Sequence, residues 1–413
     1  MLRVLPGGRA LEALQYREFR LLWYGQMFTA MATWMDSIAR GWLIYELTSS
    51  SFQLGLVRGV QAIPTLLLSP VAGSAADLYS RKTQILIAQV VDGLLYAWIA
   101  AMILTGHILP WHVYVTSVGL ATVQAFQLPS RTAMVSDSVP AGCLTNAMGL
   151  NAVVFNSARS LGPALAGILI SLYGTAGSYS VQAGFYLLAT IWTAMLRPRE
   201  QPPPARGAHG GHGASFRRSI VEGWKFSWTN YEVRVSLLVV SIAMFLLIPF
   251  TTLLPVFARD ILEVGAHGQG MLLTAMGVGA LFSSVLVAFV GDKVPRGPVM
   301  IGGVGLYGLL LAVFSFSASF ALSIATMFLV GLCHVTSHAL IQIVIQSYSP
   351  SEFRGRTMAI FHMTQVILVV GAMFVGALAS AVGARWALSS MSLTATAAMV
   401  GIYALMPRAR EIR

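Results

Sequence analysis

The stretch GSAADLYSRK, residues 73–82, decides the fold. It joins two apolar runs, near 53–76 and 83–105. Each is long enough to cross about 30 Å of hydrocarbon as a helix, which takes roughly 20 residues. A few polar residues turn the chain, and two adjacent bases, Arg81 and Lys82, close the turn. The string VGDKVPRGP (290–298) joins a later pair of apolar runs in the same manner. LPSRTAMV (128–135) and EFRGRTMAI (352–360) echo one another too. Matching short loops at matching places mark a duplicated six-helix unit, an arrangement that suits rocking one half against the other.

Outward from these loops, twelve spans are predicted: near 19–45, 53–76, 83–105, 111–130, 146–171, 179–196, 233–257, 269–290, 299–317, 320–345, 357–382 and 386–406. The whole composition agrees. Of 413 residues 56% are hydrophobic and only 10% charged, against about 25% charged in a soluble domain. Mean hydropathy is +0.73. So few charges cannot coat a soluble protein of this size, which excludes a soluble enzyme, a disordered chain and a nucleic-acid-binding module. Cys143 and Cys333 lie far apart in apolar surroundings and suggest neither a disulfide framework nor a metal site. The basic start, Met1 to Arg20, reads as having no removable signal peptide.

The net charge of +11 finds its explanation in topology. With the N-terminus inside, inner segments hold 21 of the 26 basic residues. Outer loops hold Arg259 and Arg385, and Arg40, Arg58 and Arg159 fall within spans. That bias is the positive-inside pattern and needs no polyanionic partner. An even number of spans puts both termini in the cytoplasm. The longest polar stretch, about 197–231, carries a Pro run at 202–204 and GAHGGHG at 207–213, a linker composition. His209 and His212 read as part of that linker rather than as metal ligands. Phe216 to Trp228, with its aromatics and bases, is expected along the inner membrane surface. The halves are then 1–196 and 233–413, with 197–232 between them.

These residues resemble the major facilitator superfamily over nearly the whole chain. After span two the family pattern is G-x-x-x-D-x-x-G-R-K/R. Gly73, Asp77, Ser80, Arg81 and Lys82 stand in it, with Ser80 for the usual Gly and Leu78 where a base is common. Span five resembles the drug:proton antiporter pattern G-x8-G-x3-G-P-x2-G-G through Gly149, Ala158, Gly162, Pro163, Ala166 and Gly167. QLPSRTAMVSDSVP (127–140) and LTNAMGLN (144–151) are similar to the bacterial exporter branch that includes enterobactin exporter-like and macrolide efflux proteins. The resemblance implies an inner gate at Asp77, flanked by Arg81, Lys82 and Arg131, with Asp292 and Arg356 as second-half counterparts. It implies a seal between halves at Gly162 and Pro163. The span-four arginine of many proton antiporters is missing, since no Arg occurs between Trp111 and Ser130.

Charges inside spans carry the chemistry. Asp36 and Arg40, at i and i+4, share a helix face and can pair. They read either as a neutralised pair fixing span one or as a protonatable site. Asp92 has no opposite charge within a turn, only Gln89 and Tyr96. A lone carboxyl in a low-dielectric span is the kind of group that carries a proton. Arg58 and Arg159 must find an acid, a carbonyl or water, and Arg159 could meet Asp36 or Asp92. His334 and His338, one turn apart, read as cavity-lining side chains. No phosphate loop, nucleophile elbow or metalloprotease motif is present.

The expectation is an all-α inner-membrane secondary transporter, a monomer in the lipid bilayer with no cofactor. It would exchange protons for an amphipathic small molecule such as a drug or siderophore-like metabolite. An uptake symporter and a non-transporting sensor or scaffold are the alternatives.

Overall fold

A computed structural model describes residues 8–197, 212–290 and 294–412. The described residues are helical, without strands. A 3-10 segment, Gly8–Gln15, leads into α1 (Arg17–Thr48), α2 (Ser51–Leu78), α3 (Arg81–Leu104), α4 (Pro110–Asp137) and α5 (Leu144–Ala194). After the polar stretch come α6 (His212–Thr229), α7 (Tyr231–Ile242), α8 (Gly265–Val290), α9 (Arg296–Phe316), α10 (Phe320–Ser347), α11 (Ser351–Val382) and α12 (Ala384–Leu405). Eight helical stretches among the described residues are long and apolar enough to cross a membrane. α1, at 32 residues, has the length, but Asp36 and Arg40 interrupt its apolar run.

Four boundaries depart from the sequence reading, each for a physical reason. α4 runs to Asp137 instead of ending near 130, because the helix continues through Pro129. Membrane helices tolerate such a residue where neighbours satisfy the freed carbonyl. Spans five and six form one assigned helix, α5, broken only at Gly174 (φ 68°, ψ −178°). Glycine reaches that left-handed φ without steric cost, so no loop is needed there. Span seven is not uniform. Beyond α7 it passes through a π turn (Ala243–Leu247), a 3-10 turn (Ile248–Thr252) and a second π turn (Phe257–Ile261). Pro249 and Pro255 remove backbone donors from this run, which forces non-α hydrogen bonding. The stretch expected to be linker ends in the 18-residue helix α6, whose first residue is His212. His209 lies outside the described residues.

The chain divides into two compact units, Met1–Ser49 with Val60–Pro204 and Gly265–Met271, and Ser50–Gly59 with Ala205–Val264 and Leu272–Arg413. In the first unit α5 packs along α1 and α3, and α3 along α4. In the second, α9 packs on α10 and α12, and α11 on α12, α6 and the irregular part of span seven.

Small residues set the helix spacing within each unit. In the first, a Cβ on Gly162 would stand 2.7 Å from Trp34 Cβ. One on Gly167 would stand 2.7 Å from the Ala266 carbonyl, and one on Gly270 2.8 Å from the Pro163 carbonyl. In the second, a Cβ on Gly55 would stand 2.6 Å from the Ala372 carbonyl and one on Gly376 2.7 Å from the Ser51 carbonyl. Gly279 and Gly331 face each other's helices so closely that an added Cβ would collide with Phe328 and Met276 carbonyl oxygens. In lipid, backbone approach of this kind replaces the missing hydrophobic drive between helices.

Gly331→Val should therefore cost about 1–3 kcal/mol, the usual penalty for overpacking. Thermal unfolding of the purified protein would show it as a drop of several degrees. Gly302→Ala, where a Cβ meets nothing within 4 Å, should leave the midpoint unchanged.

Candidate functional site

The first unit gathers its charges in the interior between α1, α3, α4 and α5. Arg40 is 3% exposed, and its guanidinium is used almost completely. Nε donates to Asp36 Oδ2 at 2.8 Å and Nη2 to Asp36 Oδ1 at 3.0 Å. Nη1 donates to Thr116 Oγ1 at 3.1 Å, Ser117 Oγ at 3.0 Å and the Val113 carbonyl at 3.3 Å. The pair expected from i, i+4 spacing thus forms in bidentate geometry, and it ties α1 to α4. Parallel two-pronged contacts of this kind are among the strongest that arginine makes.

Asp92 presents the opposite case. It is fully buried, and neither carboxyl oxygen has a hydrogen-bond partner of normal geometry. The side chain of Gln89, one turn earlier, is likewise without one at both its oxygen and its nitrogen. The Tyr186 hydroxyl is close enough to donate to Asp92, though not in normal geometry, and Arg131, Asp36 and Arg40 supply the surrounding charge. The Tyr186 hydroxyl lies 3.5 Å from Thr33 Oγ1. Tyr96 of α3 stacks between Tyr179 and Tyr186 of α5, with ring centroids 6.1 and 5.4 Å apart.

Arg131 occupies a place that sequence reasoning did not give it. Because α4 continues past Pro129, this side chain turns inward onto α1. Its Nη1 bonds Gln26 Oε1, and Thr29 Oγ1 at 2.8 Å. Its Nε and Nη2 are buried and have no hydrogen-bond partner. The first unit therefore does carry a buried arginine on its fourth helix, one residue beyond the interval 111–130. A buried acid and a buried base, each incompletely satisfied, share one interior. Unpaired charge at such depth is costly, so a group of this kind marks function more often than support.

In the loop 73–82 and the start of α3 the described side-chain contacts are those of Ser80, Arg81, Lys82 and Gln84. Gly73 and Asp77 belong to the last turns of α2, and their side chains lie outside those described. Arg81 pairs with Asp137 at the end of α4. Lys82 Nζ donates to the carbonyls of Ala194 at 2.8 Å and Leu196 at 2.6 Å, capping the C-terminal end of α5. A cation there also meets the negative end of the helix dipole. Ser80, which replaces the usual glycine, caps α3 by accepting from Thr83 N–H. Gln84 adds bonds to the carbonyls of Ala75 (2.7 Å) and Tyr79 (3.1 Å) and accepts from Ser130 Oγ (2.8 Å). Asp137, Gln84 and the α5 carbonyls escaped the sequence reading, as no local motif announces a partner so far along the chain.

The remaining candidates scatter. Arg159 stands over the Trp34 ring at 5.7 Å, while the carboxylate of Asp36 is taken by Arg40. Gly162 and Gly167 make the close contacts described above, but a Cβ on Gly149 would meet nothing within 4 Å. Pro163 is buried inside α5 with helical φ/ψ, and the non-helical residue of that helix is Gly174. In the second unit Arg58 is half-buried on α2. Asp292 lies outside the described residues. Arg356 pairs with Glu222 of α6 at 3.0 Å. His334 stacks on Tyr307 at 5.6 Å and meets His338 edge-on at 6.0 Å.

A family model described as transmembrane secretion effector matches residues 9–412. The chain belongs to this family, within the major facilitator superfamily. It is a transporter, not an enzyme. It is similar to the multidrug efflux pump Tap of Mycolicibacterium fortuitum, 24% identical across 91% of this chain and 92% of that protein. It is also similar to the staphyloferrin A transporter of Staphylococcus aureus, 22% identical across 88% and 90%. Among solved structures, a bacterial homolog of the human lysosomal transporter Spinster, inward-facing and unoccupied, shares the fold. The TM-score is 0.76, at 14% identity over 95% of this chain and 97% of that one.

Arg40→Gln should strand the Asp36 carboxylate in the bundle and destabilise by about 3–5 kcal/mol. The double variant Asp36→Asn, Arg40→Gln should recover most of that loss. Thermal midpoints of the two purified variants check the pair.

Proposed function

We propose that this transporter exports amphipathic small molecules, drug-like or siderophore-like, in exchange for protons. It would do so by alternating access through twelve spans in two six-helix halves, 1–196 and 233–413, joined by 197–232. Both termini would face the cytoplasm from a bacterial-type inner membrane, with the protein acting as a monomer. The relative named a multidrug efflux pump supports this direction, and it and the relative named a staphyloferrin A transporter support a small-molecule substrate. The 20 basic residues left on the inner side once Arg131 is placed inside the bundle support the orientation.

One observation carries the coupling: the Asp92 carboxyl lies buried near the incompletely paired Arg131, with the Tyr186 hydroxyl as its only hydrogen-bonding neighbour among the described residues and no contact of normal geometry. Asp92 is the proton carrier. Asp36 is the weaker candidate, because Arg40 already occupies both its oxygens. Charged Asp92 attracts the free edge of Arg131 and draws α3 toward α4. Protonated Asp92 releases it, and Arg131 stays with Gln26 and Thr29 of α1. Two packings of the same helices then differ by one proton, and substrate binding shifts the balance between them. At the inner gate, around Gly73 and Asp77, Arg81 and Lys82 hold the ends of α4 and α5, and Arg356 holds α6. Gly162 and Gly167 keep the seam along α5 tight.

Inside-out vesicles energised with a proton gradient test this reading on a panel of dyes, antibiotics and siderophores. Asp92→Asn should lower gradient-driven accumulation at least about tenfold, the scale on which a general acid–base group acts. Substrate binding should survive. Asp36→Asn should keep a measurable gradient response. Full gradient-driven flux in Asp92→Asn would remove Asp92 as the carrier.

A further inference from the structure

Outside the charged interior, the second unit holds a trough between α6, α7 and α11. Its cavity volume is about 220 Å³, less than the roughly 300–1,000 Å³ of a site that encloses a whole small molecule, so it is an open trough for part of a ligand. Its walls follow helical spacing. Along α7 the lining residues are Arg234, Leu237, Leu238 and Ser241, at i, i+3, i+4 and i+7. Along α11 they include Ile360, Met363 and Ile367, again at i, i+3 and i+7. Two helices therefore present one face each, and α6 closes the end with Trp224 and Trp228.

The trough is built rather than loose. α6 is fixed on α11 by the Arg356–Glu222 pair and by Phe226 stacked on Phe353, centroids 4.7 Å apart and planes 14° apart. Gly223 lets the helices approach, since a Cβ there would stand 2.8 Å from Arg356 Cβ. Asn230 then caps α7 by accepting from Val233 N–H at 3.0 Å. The helix that sequence reasoning laid along the membrane surface is thus clamped to a span.

Polarity runs along the trough in one direction. Its first turn has Arg234, whose guanidinium donates to the Trp228 carbonyl at 3.5 Å and lies 5.5 Å from the Tyr231 ring. No described carboxylate pairs with it. Beyond that turn the walls are aliphatic, apart from Ser241 and Thr364. Trp224 and Trp228 are each about half exposed, 48% and 47%. Tryptophan favours the level where headgroups meet acyl chains. Basic pockets between membrane helices on the cytoplasmic side take anionic headgroups. A cation, two interfacial indoles and an aliphatic floor in that order match a molecule with an anionic head and a hydrocarbon tail, and the surrounding bilayer supplies it.

We propose that this trough binds an anionic phospholipid. Its phosphate sits at Arg234 between Trp228 and Tyr231, and one acyl chain lies along Leu237, Leu238, Met363 and Ile367. The lipid braces the clamped helix α6 against α7. The inference rests on the proposed reading that the Tyr231 end of α7 lies at the inner leaflet, and not on the direction of transport or the coupling ion.

The test uses tryptophan fluorescence of the full-length protein in phosphatidylcholine vesicles doped with brominated lipid, so transport is never measured. Brominated phosphatidylglycerol should quench more effectively than brominated phosphatidylcholine, with an apparent affinity about fivefold higher, the value of one interfacial basic residue. The double variant Trp224→Phe, Trp228→Phe should abolish the difference. Arg234→Gln should abolish it while leaving the general quenching intact, and Arg234→Lys should restore part of it. Equal quenching by both lipids, or a preference that survives Arg234→Gln, would overturn the proposal. Thermal unfolding in detergent gives a second reading. Added phosphatidylglycerol should raise the midpoint of the native protein but not of Arg234→Gln, and an equal rise in both would count against the site.

Discussion

A charge placed at membrane depth finds its partners in the protein or not at all, and the first unit is organised by that constraint. Arg40 shows the constraint obeyed. Asp36 is supplied by its own helix, and Thr116, Ser117 and the Val113 carbonyl by α4. The helices are held where those groups can reach. Asp92 and Arg131 show the constraint left open in the same interior, with buried polar atoms lacking a hydrogen bond. A fold that satisfies one ion pair so fully has no general difficulty in placing polar groups. The proposed proton site is placed where the polar groups are incompletely paired.

Around these charges the packing works by absence of side chain. Glycines 162, 167 and 270 in one unit, and 55, 279, 331 and 376 in the other, let backbones approach to distances that a single methyl would forbid. Close backbone contact gains dispersion energy over a long seam and resists continuous deformation. Stiff helices meeting at tight seams can change partners in steps, which is how a small local event is carried to a distant element.

Much of this was legible in the chain itself. Apolar runs of the right length fixed an all-helical membrane protein, and i, i+4 spacing foretold the Asp36–Arg40 pair. What failed were judgements at the ends of runs. Pro129 and Arg131 looked like a boundary, yet α4 absorbs the proline and carries the arginine inside. Gly174 looked like part of a loop and is instead one left-handed residue within a single assigned helix. Tyr179, Gln182 and Tyr186 were passed over, although their i, i+3, i+7 spacing in an apolar run already marks a polar stripe. The partners of Arg81, Lys82 and Arg356 had no local signal, for each lies more than fifty residues away along the sequence.

The docking of α6 changes what the polar connection can do mechanically. Its near end is held where the Arg197 N–H donates to Glu18 at 2.8 Å, and its far end where Glu222 meets Arg356. Only residues 198–211 remain between Arg197 and the helix that α11 grips. Fully drawn out, that length of chain spans about 50 Å at most. Glu18 and Arg356 are therefore the side chains that fix where this stretch leaves the first unit and where α6 is held in the second, whatever its length.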